Sequence, residues 1–468
     1  MSAQMPAIAS SAMGPRTLAE ALAAAYSNNP TLQAARAQLR SVDENVPQAL
    51  AGWRPSVVLS GTGGYSDGKS RIYTSAVVDP VTGLIVQPGS TANTRSERVI
   101  GTAQAVVTQN LYRGGRTRAQ TNHAENQVMA QRAQLIATEQ QTFTDTVNAY
   151  VGVIQAQQIL GLNINNEQVL ARQLQATNDR FRVGEITRTD VAQADAALSG
   201  ARAQRETAEG NLATARATYQ RQVGYMPPAD LVEPQPIALP VHNQQEAVTL
   251  AAANNPSVIA AQFNDASARD NVDVAFSALM PTVSVQGQLF QQQNSQFTHS
   301  SINGAQVVAT VSVPLYQGGA EYSAVRQARQ QEQQARKQLD DARRQAIQQA
   351  TQAWETLIAA RATADSTKSQ IRANAIALEG VEREALVGSR TTLDVLNAQQ
   401  ALLNSEVTLV QNLVSIITAS YTVASAIGRF TAHDLNLPVA LYDETAYYKA
   451  VRDRWAGTGD FATGQPGR

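Results

Sequence analysis

Residues 63 to 70, GGYSDGKS, match the phosphate-binding pattern G-x-x-x-x-G-K-[ST] at Gly63, Gly68, Lys69 and Ser70. That chemistry needs a strand running into the glycine turn and a helix leaving it, so that backbone N–H groups and a helix N-terminus face the phosphates. The residues that follow, RIYTSAVVDPVTGLIVQPGS, carry Pro80, Gly83, Pro88 and Gly89 and have no 3.6-residue apolar period. No helix follows, so the stretch reads as a glycine-rich loop that takes no nucleotide. His123, His242, His299 and His433 are scattered without metal-ligand spacing and read as structural or solvent-facing. Neither G-x-S-x-G nor H-E-x-x-H occurs, and no nucleophile with its base can be nominated. Cysteine is absent, which removes disulfides, thiolate catalysis and zinc thiolates together. The reading is a non-enzyme with no cofactor and no metal.

One polar pattern repeats. Thr187-x-x-Asp190 follows Gly184, and Thr391-x-x-Asp394 follows Gly388. Glycine ends one helix, the Thr hydroxyl caps the next, and the carboxylate lies near the positive end of the helix dipole.

The elements that carry these turns follow from composition. The chain of 468 residues is 43% hydrophobic but only 16% charged and 5% aromatic, with net charge −1, so no electrostatic footprint points to nucleic acid. There is no proline between Pro88 and Pro227 or between Pro314 and Pro438, and both runs have helical spacing, as in Ile136, Phe143, Val147, Tyr150 and Ile154. From Arg116 to Phe181 no strong breaker intervenes, which allows about 100 Å of helix with a thin, Ala-rich stripe. Val407 to Gly428 is free of charge, but Gln411, Asn412, Ser415, Thr418, Ser420, Thr422 and Ser425 make it too polar for a membrane helix.

The chain is internally duplicated. EALAAAYSNNP (20 to 30) recurs as EAVTLAAANNP (246 to 256), and WRPSV (53 to 57) as LMPTV (279 to 283), at a shift of 226. LYRGG (111 to 115) recurs as LYQGG (315 to 319), VGEITRTDV (183 to 191) as VGSRTTLDV (387 to 395), and Gly224 as Gly428, at a shift of 204. The difference localises an insertion between Pro55 and Leu111, and GGYSDGKS lies in it. Between the Pro and LY-x-GG landmarks the period becomes two. Val57, Leu59 and Gly61 share one face, as do Val99, Ala103, Ala105, Val107 and Leu111, then Val283, Val285 and Leu289, then Val307, Ala309, Val311, Val313 and Leu315. The opposite faces are polar and uncharged, the alternation of transmembrane barrel strands. Four strands cannot close a barrel, so the barrel must be shared between chains.

With its N-N-P helices, Pro-initiated strands, L-Y-x-G-G junctions and V-G-x(5)-D-V tips, the chain from about Thr17 to Pro438 resembles the TolC-like outer-membrane channel family. The resemblance implies a mainly α fold with a membrane β-barrel: long antiparallel helices in a trimeric α-helical tunnel, joined to a shared 12-stranded barrel with four strands per chain. It implies a homotrimer in the outer membrane of a Gram-negative bacterium, the helical part in the periplasm. Such a duct passively exports proteins or small toxic compounds, with a periplasmic adaptor and an inner-membrane ABC or proton-driven transporter as partners. GGYSDGKS then falls in the outer loop joining the first strand pair. The N-terminus, which lacks a secretory signal, reads as trimmed, and the absence of cysteine points toward the secretion-associated branch rather than a lipid-anchored one.

By the same resemblance Arg390 latches onto Thr189 and Asp190 of an adjoining coil. Asp394 forms a carboxylate ring at the periplasmic entrance, with Asn397 where a second ring aspartate is usual and Ala385 where a tyrosine is usual. Gly184, Thr187, Gly388 and Thr391 form the helix-tip turns where the adaptor docks, and Gly114, Gly115, Gly318 and Gly319 form the strand-to-helix junctions. The expected layout is a remnant at 1–16 and a first repeat at 17–240, with strands about 55–66 and 97–112 and long helices about 114–181 and 188–223. A second repeat spans 241–440, with strands about 281–291 and 304–316 and helices about 318–386 and 392–428, before a loosely ordered tail at 441–468. Two other readings stand: a soluble coiled-coil scaffold with β-hairpins, and a P-loop ATPase.

Overall fold

The computed structural model describes residues 14–295 and 299–459; the expectations for 1–13 of the remnant and 460–468 of the tail lie outside them. In chain order the elements are α1 (Leu18–Asn28), α2 (Pro30–Asp43), α3 (Asn45–Leu50), β1 (Ser56–Thr74), β2 (Val77–Val78), β3 (Ile85–Gln87), β4 (Ser90–Arg113), α4 (Arg116–Arg182), α5 (Arg188–Val223), α6 (Gln244–Asn254), α7 (Pro256–Phe276), β5 (Thr282–Gln293), β6 (Ser301–Ser312), α8 (Ala320–Leu386), α9 (Thr392–Ala426) and α10 (Ala446–Val451). The chain divides into a helical unit, Met1–Glu44 with Asn126–Ala266 and Gln333–Arg468, and a sheet-bearing unit, Asn45–Glu125 with Ser267–Glu332.

Helices α4 and α8 have 67 residues each, about 100 Å of helix at 1.5 Å per residue. On α8 the buried positions Val325, Ala328, Ala335, Leu339, Ala346, Ala350, Ala353, Leu357 and Ala364 recur at intervals of three, four and seven. That is a single narrow seam of small side chains, which lets helix axes approach closely.

The repeated N-N-P has a definite job. Asn29 ends α1 and caps α2: its Oδ1 accepts from Thr31 N–H (2.9 Å), and its Nδ2 donates to the Gln222 carbonyl on α5 (3.1 Å). Asn255 repeats this between α6 and α7, accepting from Ser257 N–H (2.9 Å) and donating to the Ala426 carbonyl on α9 (3.2 Å). Proline at the next position costs no hydrogen bond, because the first N–H of a helix has no intrahelical acceptor. The two repeats are thus alike in their tertiary contacts as well as their sequence.

The helical core draws on both repeats. Its main cluster holds Tyr26, Phe143, Tyr150, Tyr219, Tyr421 and Phe430, with Phe143 between Tyr26 (6.2 Å) and Phe430 (5.7 Å); burying each such ring stabilises the fold by about 1.5–3 kcal/mol. A second cluster, Val241, Ala247, Ala353, Leu357, Ala419, Val423 and Ile427, has only aliphatic side chains at its buried centre, with Trp354 packed against it.

The tail corrects an expectation. Residues 442–451 are packed, not loose: Tyr442 N–H donates to Tyr26 Oη (3.0 Å), the Tyr447 hydroxyl donates to Glu44 (2.8 Å), and Val451 is buried. Arg36, fully buried, lies 4.5 Å from the Tyr26 ring and 5.2 Å from the Tyr442 ring. Aromatic residues bunched at 442, 447 and 448, in a chain otherwise poor in them, were the available signal.

In the sheet-bearing unit the strand order is β1-β4-β5-β6, all antiparallel. Three expectations change. Strands β1 and β4 are longer than expected, pairing without interruption from Ser56↔Thr108 to Thr74↔Ser90. GGYSDGKS is therefore strand and not a loop. A β-bulge between Asn110 and Tyr112 puts Tyr112, not Leu111, opposite Val283 on the apolar face. The LY-x-GG junction follows, with Gly114 and Gly115 at φ 62° and 82° and Gly318 and Gly319 at 70° and 87°. At Gly114 a Cβ would lie 2.7 Å from the Ser277 carbonyl, so glycine is required there.

Candidate functional site

The strands settle the phosphate-binding pattern first. From Gly63 to Ser70 every residue is paired with β4, Gly63 with Gly101 and Lys69 with Arg95. The backbone is committed to a ladder, with no glycine turn and no helix N-terminus to hold a phosphate. His123 is structural: its Nδ1 is 2.8 Å from the Ser267 carbonyl and 2.9 Å from the Ser267 hydroxyl.

The two faces of the sheet differ in chemistry. Cross-strand pairs Val57↔Val107, Leu59↔Ala105↔Leu289 and Val283↔Val311 lie on one face, where Val57, Leu59, Leu289, Val307 and Val311 are exposed. Gln109, Gln291, Gln293 and Asn303 interrupt that face, and Tyr112 and Tyr65, the latter opposite Val99, bracket it. About a dozen residues at about 3.3 Å each, tilted by about 40°, give about 30 Å between the tyrosines, close to the height of a lipid-facing band with its aromatic girdles. The opposite face carries a glutamine ladder: Gln306 Nε2 donates to Gln288 Oε1 (2.6 Å), and Gln288 Nε2 donates to Gln104 Oε1 (2.8 Å). It is uncharged along the four-stranded part, as expected, but less uniformly polar, since Val58, Val106 and Val308 share it. Among the described residues both outer edges, β1 and β6, lack a neighbouring strand.

The helix tips are built twice to one plan. At the end of α4, Gly184 (φ 82°) donates to the Phe181 carbonyl and Glu185 N–H to Arg180; at the end of α8, Gly388 (φ 79°) donates to Ala385 and Ser389 N–H to Glu384. These paired bonds close both helices. Capping boxes then open α5 and α9. Asp190 N–H donates to Thr187 Oγ1 (3.3 Å), and Asp190 Oδ2 accepts from Thr187 N–H (2.9 Å) and hydroxyl (2.7 Å). Thr391 and Asp394 repeat these bonds at 3.3, 3.0 and 2.8 Å. The hydrogen bonds from Thr187 and Thr391 hold both carboxylates below the usual range.

Within one chain Arg390 does not reach Asp190. Its Nε donates to Glu384 (2.9 Å), which raises its pKa further, while Asp190 is occupied by Thr187. Thr189 is exposed, as is Asn397, three residues beyond Asp394 on α9. Glu384 escaped the sequence reading because the turn that folds it back on Arg390 breaks helical periodicity. Val183, Leu386 and Val387 stand exposed on the tips.

A family model described as outer membrane efflux protein matches residues 21–224 and 247–429, one segment in each repeat. The chain belongs to the outer membrane efflux protein family. It is 37% identical over 444 residues to the outer membrane efflux protein BepC of Brucella suis, covering 94% of this chain and 91% of that one. It is 26% identical over 320 residues to the outer membrane protein TolC of Escherichia coli, covering 64% of each. Among solved structures, VceC from Vibrio cholerae superposes with a TM-score of 0.72 at 20% identity, covering 88% of this chain and 96% of that chain. CusC gives 0.73 at 16% identity, covering 88% and 92%. The fold is therefore that of the outer-membrane channels, and the chain is an outer-membrane channel protein of the efflux class rather than an enzyme.

Proposed function

We propose that this chain is one third of a homotrimeric duct that passively conducts proteins or small toxic compounds out of the cell. The observation that carries the reading is the open sheet, predominantly apolar on one face between two levels of tyrosine, uncharged on the other, and without a neighbour at either edge among the described residues. Three copies, β6 of one against β1 of the next, close a 12-stranded barrel with lipid outside and water inside. The long helices form the periplasmic tunnel, and the tips its entrance. Three Asp394 carboxylates make one ring, weaker than two because Asn397 replaces the second. Arg390 exchanges Glu384 for Thr189 and Asp190 of an adjoining coil when the entrance locks. The adaptor docks on the tip turns around Gly184, Thr187, Gly388 and Thr391, where Val183, Leu386 and Val387 offer apolar contacts, and delivers cargo from an inner-membrane ABC or proton-driven transporter.

The test is single-channel conductance of detergent-purified protein in a planar bilayer, with a trivalent cation added to each side in turn. Stable steps, cation-selective and blocked from one side, are expected, with block lost in Asp394→Asn. Absence of conductance from protein that stays soluble without detergent would sink the reading in favour of a soluble scaffold.

A further inference from the structure

The insertion in the first repeat forms a surface that the membrane band does not explain. Above the Gly101↔Gln293 pair β5 stops, Asn294 Nδ2 donates to the Val99 carbonyl (2.8 Å), and among the described residues β1 and β4 continue as a two-stranded ribbon up to Thr74↔Ser90. Along it the face that holds Tyr65 and Val99 turns to Asp67, Lys69, Arg71, Arg95 and Glu97, with Arg95 bridging Asp67 (3.1 Å) and Glu97 (2.7 Å). Charge at this level marks the return to water. Beyond this collar the chain becomes apolar again: Val77, Val78, Val81, Leu84, Ile85 and Val86 are 49–89% exposed. The tip is firmly built. Asp79 Oδ1 accepts from the N–H of Val81 (2.8 Å) and Thr82 (3.3 Å), and Asp79 N–H donates to the Leu84 carbonyl (2.9 Å). Six aliphatic side chains displayed in water by a hydrogen-bonded turn call for a cover.

We propose that this cover is the same tip of the neighbouring copies, so that the tips pack together as an apolar cap over the outer mouth of the duct. The inference rests on the trimeric barrel proposed above. Strand β1 is the sheet edge that needs another copy, and the ribbon is the continuation of that same strand. Each tip therefore rises from a seam between copies, once per chain, around one axis. Twelve strands about 4.8 Å apart and tilted about 40° give a barrel about 12 Å in radius, and ten residues of ribbon reach about 30 Å. A tip leaning inward thus reaches the axis with length to spare. Lipid is the poorer cover, since the tip would enter hydrocarbon only by drawing Asp67, Lys69, Arg71, Arg95 and Glu97 toward it.

The chain has no cysteine, so Val81→Cys supplies a single thiol. In the full chain, purified in detergent and in lipid nanodiscs, a short bis-maleimide is expected to join two Val81→Cys chains at a rate independent of dilution. The crosslink is expected to disappear when Leu84→Asp and Ile85→Asp are added, and single-channel conductance to rise in that variant. Lys69→Cys, on the outward face of the collar, is expected to stay uncrosslinked. Trimers that conduct but do not crosslink at Val81→Cys overturn the proposal, as does equal crosslinking at Lys69→Cys. A Val81→Cys thiol shielded only in nanodiscs, without crosslinking, assigns the tip to lipid and also overturns it. Loss of trimers and of conductance in the unmodified chain instead removes the barrel reading on which the cap depends.

Discussion

Raising the pH from 5 to 8 is expected to loosen the C-terminal segment by taking a proton from Asp43. This residue ends α2, is 1% exposed, and has no hydrogen-bond partner at either carboxylate oxygen. Burial pushes its pKa from 3.8 up to about 7; Arg132 and Arg40 oppose the rise, and Glu44 and Glu444 add to it. A folded value above the unfolded one means that the stabilisation is complete below the unfolded pKa and is lost as pH rises through about 7. Such a shift corresponds to at most about 4 kcal/mol, of which about 2.5 kcal/mol would fall between pH 5 and 8. Screening by nearby solvent reduces the expected change to about 1–2 kcal/mol. Because α10 packs on α2 and Tyr447 holds the adjacent Glu44, the readout is hydrogen exchange of the α10 amides, corrected for the intrinsic effect of pH. Their opening free energy should fall by that amount in the wild type. In Asp43→Asn the slope should flatten to what Glu139 leaves, a carboxyl that burial also raises although Ala432 N–H and Arg36 counter it. Equal slopes in the two proteins would refute the assignment to Asp43.

Three further outcomes are expected. Gly224→Ala should cost about 1 kcal/mol, the left-handed penalty alone, because the nearest atom to its Cβ is Asn28 Cβ at 3.9 Å. The equivalent Gly428→Ala drives its Cβ into the Asn254 carbonyl and should cost about 3 kcal/mol or more, as separate thermal melts will record. Thr187→Ala should cost about 1 kcal/mol, read as faster exchange in the first turn of α5 and largely restored by Thr187→Ser. Since the folded Asp190 pKa is lowered, this cap contributes above the unfolded value of 3.8 and is lost as pH falls through the folded one. Glu384→Gln frees Arg390 and should lower single-channel conductance by favouring the locked entrance, whereas Arg390→Ala should raise it; the same direction in both would refute the exchange.

What the sequence alone specifies is local. The capping boxes at Thr187 and Thr391, the closing glycines at 184 and 388 and the narrow Ala-rich seam each depend on residues within two turns of one another. The strand pattern at Val57, Leu59, Val283 and Val285 was legible because one face meets lipid and the other water, so period two is enforced. The upper ribbon of β1 and β4 was not, because Ser66 to Thr74 carries no alternation of apolar and polar faces, and the ladder hydrogen bonds and the Arg95–Asp67 pair hold it extended. The Arg390–Glu384 pair and the bulge at Leu111 were hidden for a related reason: a turn or a register shift changes which residues face each other without changing composition. By itself, then, the sequence determined the duplicated order of helices and strands, since period, caps and glycine positions act over a few residues. Only tertiary structure decided that Asn29 reaches Gln222, that Asp43 is sealed beneath the C-terminal segment, and that an apolar tip stands beyond a charged collar. Those contacts join residues far apart in the chain, and no local period encodes which of them meet.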